Sequence, residues 1–213
     1  MLNAQINQIA NAGTQRQTAN LRVQIADTPE LIRAAKNLCH DVYLHVGYID
    51  APYADRMIPY EYESTSTYIV AITSMNEVIG TVRLTQGPPF KTFDVWKDNL
   101  FASQSALIKS ALEGPSFEIG ALAVNKNFSA MKISLMLYKA VYIYSRSLKL
   151  DYAIISMDAR ALRAMEMQGW VVVKIGGPMD YFGSITIPGI MPVNEQPGSV
   201  LQKSVSQNVL LAA

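Results

Sequence analysis

Three β-rich runs set the terms on which this chain can fold: YIVAITS (68–74), EVIGTVRLT (77–85) and SFEIGALAV (116–124). Only the turn-like pair Met75-Asn76 separates the first two, which predicts an antiparallel hairpin. Gly-Pro-Pro at 87–89 ends the second run, and Gly-Pro at 114–115 introduces the third. Helices have to cover the sheet these strands build. Thr28, Pro29 and Glu30 stand in the order of an N-cap, a first-turn proline and a first-turn acid, so a helix is expected to run to about Tyr43. Over residues 131–148, Ile133, Met136, Ala140, Ile143 and Tyr144 recur at helical spacing, with Lys132, Lys139 and Arg146 every seven residues beside them. LRVQIA (21–26), DYAIISM (151–157), WVVVKIG (170–176) and FGSITIP (182–188) read as further strands. ARALRAMEMQ (159–168) reads as a short helix broken by Gly169, and residues 90–113 as a helix-containing insertion. The order β-α-β-β-(α)-β-α-β-α-β-β predicts one α/β domain over 21–192 around a mixed sheet, with an N-terminal arm (1–20) and a C-terminal tail (193–213).

Composition narrows the function. Eighteen Lys and Arg balance seventeen Asp and Glu, so no global cationic field exists for wrapping nucleic acid, and any basic patch is local. One cysteine and two histidines cannot assemble a disulfide framework or the usual zinc sets, so no metal site is expected. The first twenty residues hold no long apolar run and no signal-peptide pattern, which predicts a cytoplasmic protein without a membrane anchor.

The element order resembles the GCN5-related acyltransferase superfamily over about residues 20–190. The strings VYLHVGYID (42–50), VIGTVRL (78–84), EIGALAV (118–124) and GWVVVKIGGP (169–178) resemble, more narrowly, its branch of acyl-homoserine-lactone synthases and long-chain N-acyl amino acid synthases. The second group matches better. Lactone synthesis would call for arginines at the positions of Cys39 and Ala121 and a tryptophan at Ile49, sites linked to S-adenosylmethionine. The resemblance implies a mostly antiparallel mixed sheet flanked by helices, with splayed central strands. It also implies transfer of a long-chain acyl group from acyl carrier protein to the α-amine of an amino acid, tyrosine being the expected acceptor. No cofactor is expected to be bound; the acyl-phosphopantetheine of the carrier protein is a co-substrate. A lactone synthase and a non-catalytic acyl or carrier-protein binding module are the alternatives.

Each site residue then has two readings. Glu118 matches the superfamily's general base, and burial in an apolar strand would suit it to take the ammonium proton; otherwise it pairs with a cation. The resemblance places the backbone amide of Leu122 against the thioester carbonyl and that of Val124 against the pantetheine arm. Arg83 can grip the acceptor's carboxylate or hold Glu118. Tyr68, with Tyr48, Tyr53, Tyr60 and Tyr62, falls in the expected acceptor-covering segment, or faces solvent. In the superfamily's pyrophosphate loop, Ser129, Lys132 and Ser134 stand where arginine or glutamine and two glycines are usual, which argues against coenzyme A. Lys126, Lys132 and Ser134 remain to hold a single phosphodiester at the helix start. Lys132, Lys139 and Arg146 either dock an acidic carrier protein or form a solvated face. Met165 occupies the place of the superfamily's tyrosine acid, so a proton donor is missing there and Met165 and Met167 are expected to wall an apolar space instead. His40, Asp41 and His45 read as satisfied helix residues rather than an acid/base pair, and Cys39 as a buried small hydrophobe. No activated nucleophile is visible, so direct transfer is expected.

Overall fold

The computed structural model describes residues 21–196. The arm expected over 1–20 and the part of the tail beyond 196 lie outside the described residues. In chain order the elements are β1 (Arg22–Ile25), α1 (Pro29–Val46), β2 (Ser66–Ile72), β3 (Val78–Gln86), α2 (Lys91–Trp96), α3 (Ser105–Glu113), β4 (Ser116–Val124), α4 (Ala130–Ser147), β5 (Tyr152–Asp158), α5 (Ala159–Met167), β6 (Val173–Lys174), β7 (Met179–Tyr181) and β8 (Ser184–Pro192). They form one sheet in the order β1-β2-β3-β4-β5-β8-β6, with β7 also on β8. Every pairing is antiparallel except β4 with β5.

Local chemistry explains the main helices. Thr28 Oγ1 accepts the Leu31 N–H at 3.3 Å, Pro29 opens α1, and Gly47 closes it in the left-handed region at φ +77°. The helix therefore runs one turn beyond Tyr43, to where a glycine can end it. Ser129 caps α4, and Asp158 caps α5 by accepting from Arg160 and Ala161.

Strand alternation divides the core into two layers. Ile69 and Ala71 of β2 join Val82, Leu84, Phe117, Ile119 and Ile155 under α4 and α5. The intervening Tyr68, Val70 and Ile72 pack with Ala35 of α1 on the opposite face. On that second face Phe90, Ala111 and Ile154 pack with Ile175 and Ile190 beneath α2 and α3. Gly80 lets α4 settle on the first face, since a Cβ there would stand 2.4 Å from Ile133 Cγ2. Arg83, between Val82 and Leu84, and Glu118, between Phe117 and Ile119, consequently share the second face with α1.

The last third departs from expectation. WVVVKIG forms a strand only at Val173–Lys174, because β6 and β7 share the outer edge of β8 in tandem. The expected FGSITIP strand is part of a hairpin whose tip is Phe182-Gly183 and whose long arm, β8, reaches Pro192 and pairs with the whole of β5. Past it, Val193 is buried in the first core layer, and the Gln196 amide bonds Val171 and Pro192.

Candidate active site

β4 runs beside β5 only from Ser116, opposite Tyr152, to Ile119, opposite Ile155. Beyond that point β4 stays on β3 as far as Val124, opposite Gly80, while β5 stays on β8 as far as Asp158, opposite Thr186. A wedge opens between them. On its other edge β4 bulges: Thr81 pairs with Ala123 and Arg83 with Gly120, leaving Ala121 and Leu122 opposite Val82 alone. Ala121 adopts φ +49°, a left-handed conformation that typically costs a non-glycine residue about 1–2 kcal/mol. Ala121 and Leu122 thus lie outside the paired register on both edges of their strand.

A cavity of about 350 Å³ opens from the wedge. Gly120, Ala121 and Leu122 form one lip and Ser156, Met157 and Asp158 the other. Its opposite wall carries Arg83, Glu118 and a set of rings, Tyr43, Tyr48, Tyr60, Tyr181 and Phe182. The rings hold one another edge-on: Tyr43 meets Tyr48 at 5.2 Å between centroids, and Tyr181 meets Phe182 at 4.7 Å. Phe182 also leans on Tyr43 at 6.2 Å, and a Cβ on Gly183 would stand 3.0 Å from the Gly47 carbonyl oxygen, so the hairpin tip rests against the end of α1.

Arg83 and Glu118 do not hold each other. The Arg83 guanidinium stacks over the Tyr60 ring, 3.1 Å from its centroid, and its Nε is buried with no hydrogen-bond partner. No carboxylate among the described residues forms an ion pair with it. Gly120 across the strand makes room for the head group, since a Cβ there would stand 3.1 Å from Nη2.

Glu118 is 5% exposed, and its role in the fold is one that neither sequence reading contained. Oε1 accepts the N–H and the hydroxyl of Thr92, and Oε2 accepts the Lys91 N–H at 2.9 Å. Phe90 at the N-cap of α2 offers no side-chain acceptor, so a carboxylate from β4 satisfies the first turn instead. The remaining bond, from the Tyr60 hydroxyl to Oε2, is long at 3.4 Å. Tyr60 also shares a hydrogen bond with Thr85, and burial raises its phenol above the ordinary range.

The other expected site residues are dispersed. Tyr68 does not reach the cavity: it is buried in the layer under α1, and its hydroxyl donates to Glu63 at 3.0 Å while also meeting Arg83. Tyr53 and Tyr62 lie outside the cavity too, whereas Tyr181 and Phe182, which sequence reading did not single out, line it. Val124, exposed Lys126, Lys132 and Ser134 follow the open end of β4 into α4 without lining the cavity. Lys132 and Lys139 are half-buried on α4, and the exposed Arg146 donates to Asn194. Met165 is buried in the core beside Leu162, but Met167 is 75% exposed, so only the first can belong to an apolar wall.

Three further groups bear on the chemistry. Cys39 lines the cavity, and burial pushes its thiol up to about 12, which keeps it protonated and poorly nucleophilic. The His40 ring is satisfied, with Nδ1 against Asp41 at 3.0 Å and Nε2 accepting the Tyr53 N–H at 3.1 Å. Among the described residues no three His, Cys, Asp or Glu side chains group as metal ligands, and no helix is long and apolar enough to cross a membrane.

Comparison with known proteins agrees with this geometry. The profile of the N-acyl amino acid synthase FeeM family matches residues 34–173. The acyl-homoserine-lactone synthase LasI superposes with a TM-score of 0.73 at 15% identity, over 91% of this chain and 98% of its own. FeeM, an N-acyl amino acid synthase from uncultured soil microbes, superposes with a TM-score of 0.64 at 17% identity, over 86% of this chain and 99% of its own. BjaI, a CoA-dependent acyl-homoserine-lactone synthase seen with S-adenosylmethionine and isopentyl-CoA, gives 0.67 at 14% identity, over 91% and 94%. At such identities these likenesses establish the shared fold. No curated protein matches the chain in sequence.

Proposed function

The chain belongs to the FeeM N-acyl amino acid synthase family and is an N-acyltransferase, and from that premise we propose that it moves a long-chain acyl group from the phosphopantetheine of acyl carrier protein to the α-amine of tyrosine. One observation carries this reading: the wedge between β4 and β5 leads into a cavity whose wall presents, among aromatic rings, a guanidinium that no described carboxylate pairs and whose Nε has no hydrogen-bond partner. A prosthetic arm suits the first feature, and an aromatic amino acid suits the second.

In this reading the pantetheine lies between the parted strands and its thioester carbonyl accepts the Leu122 N–H, outside the paired register. A fixed main-chain donor of this kind contributes about 3–4 kcal/mol once the carbonyl oxygen becomes negative. Arg83 binds the acceptor's carboxylate through two parallel hydrogen bonds. The rings of Tyr43, Tyr48 and Tyr181 enclose its side chain. Glu118 receives the ammonium proton on Oε2. Four donors occupy its lone pairs, and Tyr60, the most distant, is the one an incoming amine displaces. The freed amine attacks the carbonyl carbon, the C–S bond breaks, the nitrogen's second proton passes through solvent to the departing thiolate, and Glu118 releases the proton it took to bulk water. Near pH 8.5, an ordinary thiol pKa, that departure needs no acid at Met165. Cys39, protonated by burial, supports direct transfer over an acyl-enzyme. Lys132, Lys139 and Arg146 on α4 are proposed to meet the acidic carrier, with Val124, Lys126 and Ser134 near the pantetheine phosphate.

Lactone synthesis is the weaker reading, because Cys39 and Ala121 line the cavity at the positions where that branch calls for arginines. The test supplies purified protein with acyl carrier protein or coenzyme A thioesters and a panel of amino acids, and identifies products by mass spectrometry. N-acyltyrosine formed preferentially from the carrier thioester is expected. A lactone from S-adenosylmethionine, or no amide with any acceptor, would overturn the proposal.

A further inference from the structure

Tyr138 stands in the middle of α4, 7% exposed, with its ring 6.4 Å from that of Trp170. Its side chain borders two voids. One is the cavity already described; the other is a crevice of about 20 Å³ between the paired half of β4, β5, α4 and α5. The crevice is walled mainly by apolar groups, among them Phe117, Val141, Ala153, Met165 and Met191. It has room for roughly one water-sized group. Ile119 borders both voids as well, so one aromatic and one aliphatic residue stand where the two voids meet.

The ring is an unusual choice for this position. No described residue hydrogen-bonds the Tyr138 hydroxyl, and burial alone raises the phenol above its ordinary range. The indole N–H of Trp170, which also lines the crevice, is buried without a partner. Filling core space would ask only for an apolar group of the same shape. A rigid ring at a boundary between a large void and a small one does something more specific: it stops whatever extends along that line.

We propose that Tyr138 is the end wall of the acyl-chain path and sets the longest chain the enzyme accepts, the crevice behind it being the space a longer chain enters once the ring is removed. This rests on the acyl-transfer reading above. The crevice is lined almost wholly by apolar side chains, which suits the methyl end of an alkyl chain and not a polar acceptor.

The experiment offers a mixture of acyl carrier protein thioesters, saturated and differing in two-carbon steps, to wild type, Tyr138→Phe, Tyr138→Leu and Tyr138→Ala, and reads the chain-length profile of the N-acyl products. Tyr138→Ala is expected to move the optimum up by at least one two-carbon step. Two newly buried methylenes correspond to roughly a 15-fold gain on the longer donor relative to the shorter. Tyr138→Phe, which keeps the ring, is expected to keep the wild-type profile, and Tyr138→Leu, which also serves if the alanine variant is poorly folded, to shift it less. Because the readout is a ratio among donors, a general loss of stability does not imitate it. Normal transfer with the same chain-length order in the Ala and Leu variants would overturn this assignment alone. No N-acylated product from wild type with any donor would overturn the acyl-transfer reading beneath it.

Discussion

β4 behaves as two strands joined end to end. From Ser116 to Ile119 it has a paired neighbour on each edge and all four residues are buried; from Gly120 to Val124 it keeps β3 alone, bulges at Ala121 and Leu122, and borders the cavity. The first half contributes through side chains, with Glu118 holding the first turn of α2. The second half contributes main chain at a place where a ladder would otherwise consume it. Arg83 sits at the junction, opposite Gly120. A sheet that stayed zipped would offer no main-chain donor to a substrate; the proposed oxyanion donor lies in the part of the strand released from pairing.

The largest expected effect falls on the paired half. Glu118→Gln should lower turnover by about 10²–10⁴ if its carboxylate takes the proton. It should also cost about 1–3 kcal/mol of stability, since the new amide cannot accept every bond from Lys91 and Thr92. A rate that follows the loss of folded protein and nothing more would reduce Glu118 to a helix anchor. At the junction, Arg83→Ala should reduce kcat/KM for tyrosine by roughly 10–10², the equivalent of about 1.5–3 kcal/mol for charge-assisted hydrogen bonds. The same substitution should leave tyramine, which lacks the carboxylate, acylated at its wild-type rate. Equal losses on both acceptors would remove Arg83 from recognition. Beyond the open end, Lys132→Glu should raise the KM for carrier protein at low ionic strength and lose that effect as salt is added, screening being strong within about 10 Å at 0.1 M. An unchanged KM at all salt concentrations would put docking elsewhere. The smallest effect belongs to the unpaired half itself. Ala121→Gly should stabilise the protein by about 1 kcal/mol by relieving the left-handed backbone, with activity retained; destabilisation in a melting experiment would show that the Ala121 side chain matters more than its conformation.

Much of the fold was legible in the residues because local signals agreed with the global outcome. Thr28-Pro29-Glu30 gives the start of α1, Met75-Asn76 the hairpin, and the spacing from Ile133 to Tyr144 gives α4. The tandem β6 and β7 were not legible, since Val171 and Val172 look as strand-like as Val173 and only the limited edge of β8 decides which residues pair. The site was half legible. Its strand positions follow from resemblance, and sheet register explains why Arg83 and Glu118 share a face. Their separation does not follow, because the donors that claim Glu118 come from α2, an element whose first turn lacks a capping side chain of its own. Tyr181 and Phe182 lie on a hairpin tip roughly a hundred residues from Arg83, where no periodicity points at the cavity. The left-handed Ala121 is also silent in sequence, since alanine signals no such conformation. Tyr68 shows the reverse error: it shares a register pair with Arg83, yet its ring is drawn into the layer under α1 and its hydroxyl to Glu63.

The most direct measurement is a crystal structure of the protein with a hydrolysis-resistant amide analogue of acyl-pantetheine. The account requires the pantetheine between Gly120–Val124 and Ser156–Asp158, its carbonyl oxygen about 3 Å from the Leu122 amide nitrogen. An analogue seated elsewhere, or β4 and β5 paired along their full length with the carbonyl away from Leu122, would contradict it.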